Sequence, residues 1–227
     1  MEKNENNTSI IPIGSTGLVR VGNSIEITNK IIKEHEERLL VSTFATVKIG
    51  NQEWMAKNLD VECYLNGDPI PQVQNPKDWE NLETGAWCYY NNDEEFGKKY
   101  GKLYNWYAVQ DKRGIAPIGF KVPSHENWRE LRDFLGGYDY AGGKLKSKSS
   151  WILKGNGLDH YGFNGLSGGR RNRQGIYESM GYIVNYWTSR DGSPTNAIDI
   201  QLNYDNELLH GLPSDKKNGY YIRSIKA

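Results

Sequence analysis

The sequence predicts an α+β domain of short antiparallel strands, one or two helices and long loops, preceded by a strand-and-helix arm. Three observations carry this. The aromatic residues, 7 Trp, 15 Tyr and 5 Phe in 227 residues, are unevenly placed, and only Phe44 falls within the first 45. Each buried ring removes about 150–250 Å² from water, so the chain from residue 46 can build a core and residues 1–45 cannot build one alone. Apolar and polar residues alternate in residues 185–189 (NYWTS), 197–202 (AIDIQL) and 219–225 (GYYIRSI), as antiparallel strands do. No rhythm of strands alternating with helices, which a parallel sheet would need, appears anywhere.

Taken in order, residues 17–21 (GLVRV) and 24–27 (SIEI) read as short strands. Thr28 then caps a helix to Leu40, with Ile31, Ile32, His35, Leu39 and Leu40 on one side and Lys33, Glu34, Glu36 and Arg38 on the other. At about 13 residues such a helix is marginal alone. Its apolar stripe needs its own domain, a second copy or another protein. The preferred reading is an anchoring and oligomerisation arm, residues 1–45, that packs through Leu18, Val19, Val21, Ile25, Ile27, Ile31, Ile32 and Leu39. From residue 46, Asn66 and Gly67 mark a hairpin-type turn. The clearest helix lies within Val122 to Gly137, where Ser124 is the N-cap, Trp128, Leu131 and Leu135 share a face, and Gly136 ends the run. A second helix is expected over Glu94 to Gln110, from Tyr100, Leu103, Tyr104 and Tyr107. Beyond Gly142 only turns and short strands are expected.

Charge and hydropathy exclude several classes. Lys plus Arg and Asp plus Glu are 28 each, so no chain-wide field attracts nucleic acid or anionic lipid. No window approaches the roughly 18–20 apolar residues of a membrane span, so no membrane insertion is expected. Met1 to Ile13 (MEKNENNTSIIPI) lacks a basic start followed by an apolar run, and the expectation is synthesis in a cytoplasm without export by the common route. Cys63 and Cys88 make one bridge at most, and reduced thiols are preferred.

The sequence carries no HExxH, CxxC, GxSxG, Walker loop or strand-borne GxGxxG. His125 beside Glu126 has the chemistry of a base with an orienting partner, although its place at a helix start favours a surface role. No catalytic residue and no metal ligand are assigned. Arg170, Arg171 and Arg173, among glycines, suit an anion held by guanidiniums. The preferred alternative is a turn whose guanidiniums stack on rings or pair with carboxylates. No cofactor is expected; calcium alone is a candidate, because residues 91–95 (NNDEE) and Asp199, Asn203, Asp205 and Asn206 supply oxygen ligands without EF-hand spacing. Aromatic rings stack on sugar faces while short amides read hydroxyls. The candidate ligand contacts on turn-rich segments are therefore Tyr161, Tyr177, Tyr182, Tyr186, Trp187, Tyr204 and Asn206, with Arg170 and Arg171 kept beside them.

Residues 49–59 (IGNQEWMAKNL), 64–71 (YLNGDPIP), 85–92 (GAWCYYNN), 100–108 (YGKLYNWYA), 119–124 (GFKVPS) with Trp128, 141–145 (AGGKL), 163–171 (FNGLSGGRR), 186–189 (YWTS) and 219–224 (GYYIRS) occur in this order. Over residues 47–226 they resemble the Fibrobacter succinogenes major paralogous domain, a family abundant in Bacteroidetes. That resemblance implies a C-type-lectin-like layout with a curled antiparallel sheet, flanking helices and long loops, and recognition rather than catalysis. It also implies a departure: Ser224 stands where family members commonly carry Cys, which leaves Cys88, the apparent partner, free.

The N-terminal segment, residues 14–32 (GSTGLVRVGNSIEITNKII), is similar to arms of fibre-like virion proteins from crAss-like Bacteroides phages. Together the two resemblances imply a non-enzymatic phage structural protein, a head fibre or capsid decoration. It would be made in the host cytoplasm, shown on the virion surface, and assembled as a homo-oligomer, with a homotrimer preferred because symmetric fibres are most often trimers and two-fold assembly left open. Residues 1–45 would hold a capsid or other virion protein, and the lectin-like domain would hold a host-surface glycan or protein. The alternative is a bacterial cell-surface binding protein whose signal peptide has been removed. A third reading, an enzyme related to formylglycine-generating factors, lacks recognisable paired reactive cysteines.

Overall fold

The computed structural model describes residues 44–227. The expected arm strands and helix, and with them Leu18, Val19, Val21, Ile25, Ile27, Ile31, Ile32 and Leu39, lie outside the described residues. The rest is an α+β domain with short helices and curled sheets, as expected. Its strands are β1 (Thr46–Ile49), β2 (Gln52–Met55), β3 (Trp87–Cys88), β4 (Leu103–Tyr104), β5 (Phe120–Lys121), β6 (Gly168–Arg171), β7 (Tyr177–Met180), β8 (Ile183–Asp191), β9 (Asn196–Asn203), β10 (His210–Asp215) and β11 (Ile225–Lys226). The helices are α1 (Pro76–Glu80), α2 (Glu94–Tyr100), α3 (Trp106–Val109), α4 (His125–Phe134) and α5 (Ala141–Leu145). Among the described residues no helix is long and apolar enough to cross a membrane.

One sheet runs β1-β2-β11-β5 and a second β10-β9-β8-β6-β7, while β3 and β4 pair alone. Among the named strands the pairing is antiparallel except between β6 and β8, which meet in parallel at Gly169 and Val184, and single bridges such as Tyr186 to Tyr221 are parallel as well, a departure from the wholly antiparallel expectation. Of residues 219–225 only Ile225 enters a named strand; Tyr220 and Tyr221 make single bridges to Tyr104 and Tyr186.

Helix α4 follows its sequence. Ser124 Oγ accepts from Asn127 N–H at 3.2 Å and Asn127 Oδ1 accepts from Ser124 N–H at 3.0 Å, a capping box contributing about 1 kcal/mol. Gly136 and Gly137, at φ +98° and +94°, end it. It turns Trp128 and Leu131 into the core, where Trp128 lies 4.6 Å from Trp54 and 5.5 Å from Tyr186 between ring centroids. The Arg223 guanidinium is buried beside them, 4.3 Å from the Phe163 ring, and donates to Asn58 Oδ1 at 2.9 and 2.7 Å and to the Phe163 carbonyl.

The expected helix over Glu94 to Gln110 is instead α2, β4 and α3. Gly101, at φ +82°, stops α2, and Asn105 Oδ1 restarts helix by accepting from Ala108 N–H at 3.1 Å. The aromatic spacing that suggests one helix comes from Tyr100 on a helix and Leu103 and Tyr104 on a strand, all buried. Helix α5 is an element the sequence does not announce. A Cβ at Gly142 would sit 2.3 Å from the Leu208 carbonyl oxygen, so its glycine answers a close approach of backbones.

Candidate functional site

An open polar groove of about 420 Å³ lies among α1, α3, the β6–β7 turn and the start of β9 and end of β10. Glu80, Tyr107, Arg173, Gln174, Thr195, Asp215 and Lys217 line it. Each wall has a local cause. Asn75 caps α1, its Oδ1 accepting from Lys77 and Asp78 N–H at 2.8 and 3.3 Å. Trp79 then anchors the helix, fully buried and donating from Nε1 to the Lys217 carbonyl at 2.7 Å. Lys217 Nζ in turn donates to the Glu80 carbonyl at 2.8 Å, which ties α1 to the segment after β10.

Arg173 and Gln174 occupy the tip of the β6–β7 turn, where Asn172 Oδ1 accepts from Gln174 and Ile176 N–H at 3.1 and 3.0 Å. Gly175 is at φ +80°, and a Cβ there would lie 2.6 Å from Pro76 Cα. Only glycine lets the turn close against α1. The turn is held from below by Arg171, whose guanidinium donates to the carbonyls of Gly175 (2.9 Å), Val73 (2.6 Å) and Gln74 (2.7 Å) and lies 4.4 Å from the Trp79 ring. Arg173 Nη1 stands 3.6 Å from Asp215 Oδ2. Partial burial, together with the Asp215 and Glu83 carboxylates, raises the Tyr107 phenol above its ordinary value, so it faces the groove as a neutral donor.

The groove thus presents two carboxylates, two cations, an amide and a hydroxyl around one ring. That set can hydrogen-bond a polyhydroxylated ligand or pair with a charged peptide, and its volume is within the roughly 300–1,000 Å³ of ordinary ligand sites.

The residues singled out from the sequence lie elsewhere in part, and three need correction. Tyr186, Trp187 and Arg171, expected on exposed turns, are fully buried. Tyr186 and Trp187 belong to the central stretch of β8, covered on both faces, and Arg171 is a positioning residue under the groove. Arg170 pairs with Glu178 at 2.7 Å, so the stack-or-pair alternative describes this arginine run and an anion clamp does not. Tyr182 and Tyr204 meet edge to face at 5.3 Å, with Asn206 two residues further along the same turn. Tyr161 lies apart, 5.7 Å from Phe134, and Tyr177 donates to Asn92 Oδ1 at 2.6 Å. Of the arginine run only Arg173 reaches the groove. Glu80, Gln174, Thr195, Asp215 and Lys217 escape the sequence reading; their shared signal is a position at or beside a turn.

Several of the candidate calcium ligands are otherwise engaged. Asp199 is buried and accepts from Asn185 Nδ2 (2.6 Å) and Ser214 Oγ (2.8 Å). The turn bearing Asn203 and Asn206 already holds a cation, since Lys146 Nζ donates to their carbonyls at 3.0 and 2.8 Å. Asp93 caps α2 through Glu95 N–H at 2.8 Å. Among the described residues no group of three or more His, Cys, Asp or Glu side chains is placed to hold a metal ion. Cys88 is buried near Arg171 and Tyr177, and Cys63 is exposed; both are free thiols.

Fold and groove define a compact α+β module with a ligand-sized polar cleft and short connecting helices. The family model for the Fibrobacter succinogenes major domain matches residues 47–226, and the chain belongs to that family. No curated protein and no solved structure matches the chain.

Proposed function

We propose that the protein is a non-enzymatic recognition appendage, in which residues 46–227 hold a host-surface glycan or protein and residues 1–45 join copies into a trimer and anchor them. The setting that suits both parts is a phage virion, as a head fibre or capsid decoration. The observation that carries the recognition reading is the groove around Tyr107, where hydrogen-bonding groups of both signs face one aromatic ring. The resemblance of the arm to fibre-like virion proteins supports the setting.

A glycan array probed with the full chain tests the first part. Binding that falls at least about fivefold in both Y107A and R173A, without a change in thermal unfolding, supports it. Binding unchanged in both variants overturns the groove as the site. Mass photometry tests the second part: the full chain is expected at three subunits per particle and the form lacking residues 1–45 at one. A single subunit in both overturns the arm's role.

A further inference from the structure

The polar groups of the groove around Tyr107 divide by whether the protein already uses them. Glu80 accepts from Lys77 Nζ at 2.9 Å, Asp215 Oδ1 accepts from the Lys217 N–H at 2.9 Å, and Lys217 Nζ donates to the Glu80 carbonyl at 2.8 Å. The Tyr107 and Thr195 hydroxyls and the Gln174 side-chain amide line the same groove with no hydrogen-bond partner among the described residues. Arg173 and Asp215 stand between these two cases. Nη1 and Oδ2 face each other at 3.6 Å, wide of the roughly 2.7–3.2 Å of a hydrogen bond. Donors on one side and an acceptor on the other are therefore left for a third group.

Charge limits what that group is. Within the groove Glu80 and Asp215 are matched by Arg173 and Lys217. An anion drawn to Arg173 would lie beside the Asp215 carboxylate, and an ammonium drawn to Asp215 would lie beside Arg173, so either brings like charges together. A hydroxyl brings no charge and is both donor and acceptor. One hydroxyl, or two on adjacent carbons, accepts from the guanidinium and donates to the carboxylate while leaving the two side chains facing each other. The unengaged groups nearby, two hydroxyls and a primary amide, have the same dual character and pair with further hydroxyls. The Tyr107 ring adds an apolar body beside them.

With the groove taken, as proposed, to be the recognition site, we infer that it selects a neutral saccharide, held through its hydroxyls between Arg173 and Asp215, and that it discriminates against acidic and amino sugars.

The test uses full-length protein on an array of oligosaccharides in gluco, galacto and manno configuration, each present in a neutral, a uronate and an amino form. In at least one configuration the neutral form should bind at least about tenfold more tightly than both charged counterparts. D215N, whose amide oxygen still accepts from the Lys217 N–H, should move the preference at least about tenfold towards the uronate form. R173Q, a change on an exposed side chain, should move it about as far towards the amino form. Losses equal in all three forms, which a merely structural role would give, overturn the inference. A wild-type preference for a charged form that is abolished in Y107A also overturns it and leaves the groove as the site. Binding unchanged in Y107A overturns the groove reading and this inference with it, and T195A, on an exposed side chain, replaces Y107A if that variant unfolds. Absence of binding to every form overturns the saccharide ligand.

Discussion

Replacing Asp199 by asparagine should make the domain more stable at neutral pH and leave it little changed in acid. Asp199 is fully enclosed, its carboxylate accepting from Asn185 Nδ2 and Ser214 Oγ. Burial pushes its carboxyl from an ordinary 3.8 up to about 6, against the opposing pull of those two hydrogen bonds and of Arg170. The folded state therefore binds this proton more tightly than the unfolded chain does. The associated stability is fully present below about pH 3.8 and is lost as pH rises through about 6. The difference of about 2 pH units corresponds to roughly 3 kcal/mol at neutral pH. The amide in D199N would not titrate, and it can keep both contacts. Its oxygen accepts from Ser214, and its NH₂ donates to Asn185 Oδ1, which has no partner among the described residues, once that amide turns over. In thermal unfolding of the full-length protein, the gain of D199N over wild type should grow by roughly 6–12 °C between pH 4 and pH 7.5, at about 2–4 °C per kcal/mol. A gain that stays constant across that range, or shrinks as pH rises, would refute the reasoning.

Three further outcomes follow from the groove and its supports. Arg171→Lys should cost about 3 kcal/mol or more in urea unfolding, since an ammonium cannot reach the carbonyls of Val73, Gln74 and Gly175 together or stack on Trp79; an unchanged midpoint would contradict the role given to it. Gly175→Ala should cost about 1–3 kcal/mol from its φ of +80° alone, with more from the approach to Pro76, and it should also weaken groove binding because the turn bearing Arg173 must shift. A thiol assay on native protein should count one reactive cysteine, the exposed Cys63, and two after denaturation, because burial both shields the Cys88 thiol and pushes its pKa up; two equivalents under native conditions would contradict the burial.

What was legible in the sequence was what is locally determined. The cap at Ser124, the face of Trp128 and Leu131 and the stop at Gly136 lie within fourteen residues of one another, and α4 follows them. The β8–β9 pair and the turn at Asn66 and Gly67 are local for the same reason. The misreadings have non-local causes. Tyr186 and Trp187 sit in a strand covered on both faces, so proximity to turns carries no information about their exposure. Helix α5 depends on Gly142 meeting the backbone of Leu208, which no window around residue 142 contains. The groove draws Glu80, Tyr107, Arg173 and Asp215 from four segments separated by whole elements, and only the assembled fold makes them neighbours.

The place of β11 bears on how the domain is made. Ile225 pairs with Trp54 of β2 on one side and with Lys121 of β5 on the other, and Arg223 donates to Asn58 across 165 residues of chain. The last of the domain's strands to be synthesised therefore fills an interior position of a sheet whose other members emerge much earlier. Until residue 225 has left the ribosome, β2 and β5 present unpaired edges and Trp54 lacks its cross-strand neighbour Ile225. The sheet must close late, after the rest of the domain has been made, and truncation ahead of β11 should yield an aggregating product rather than a shortened but working domain.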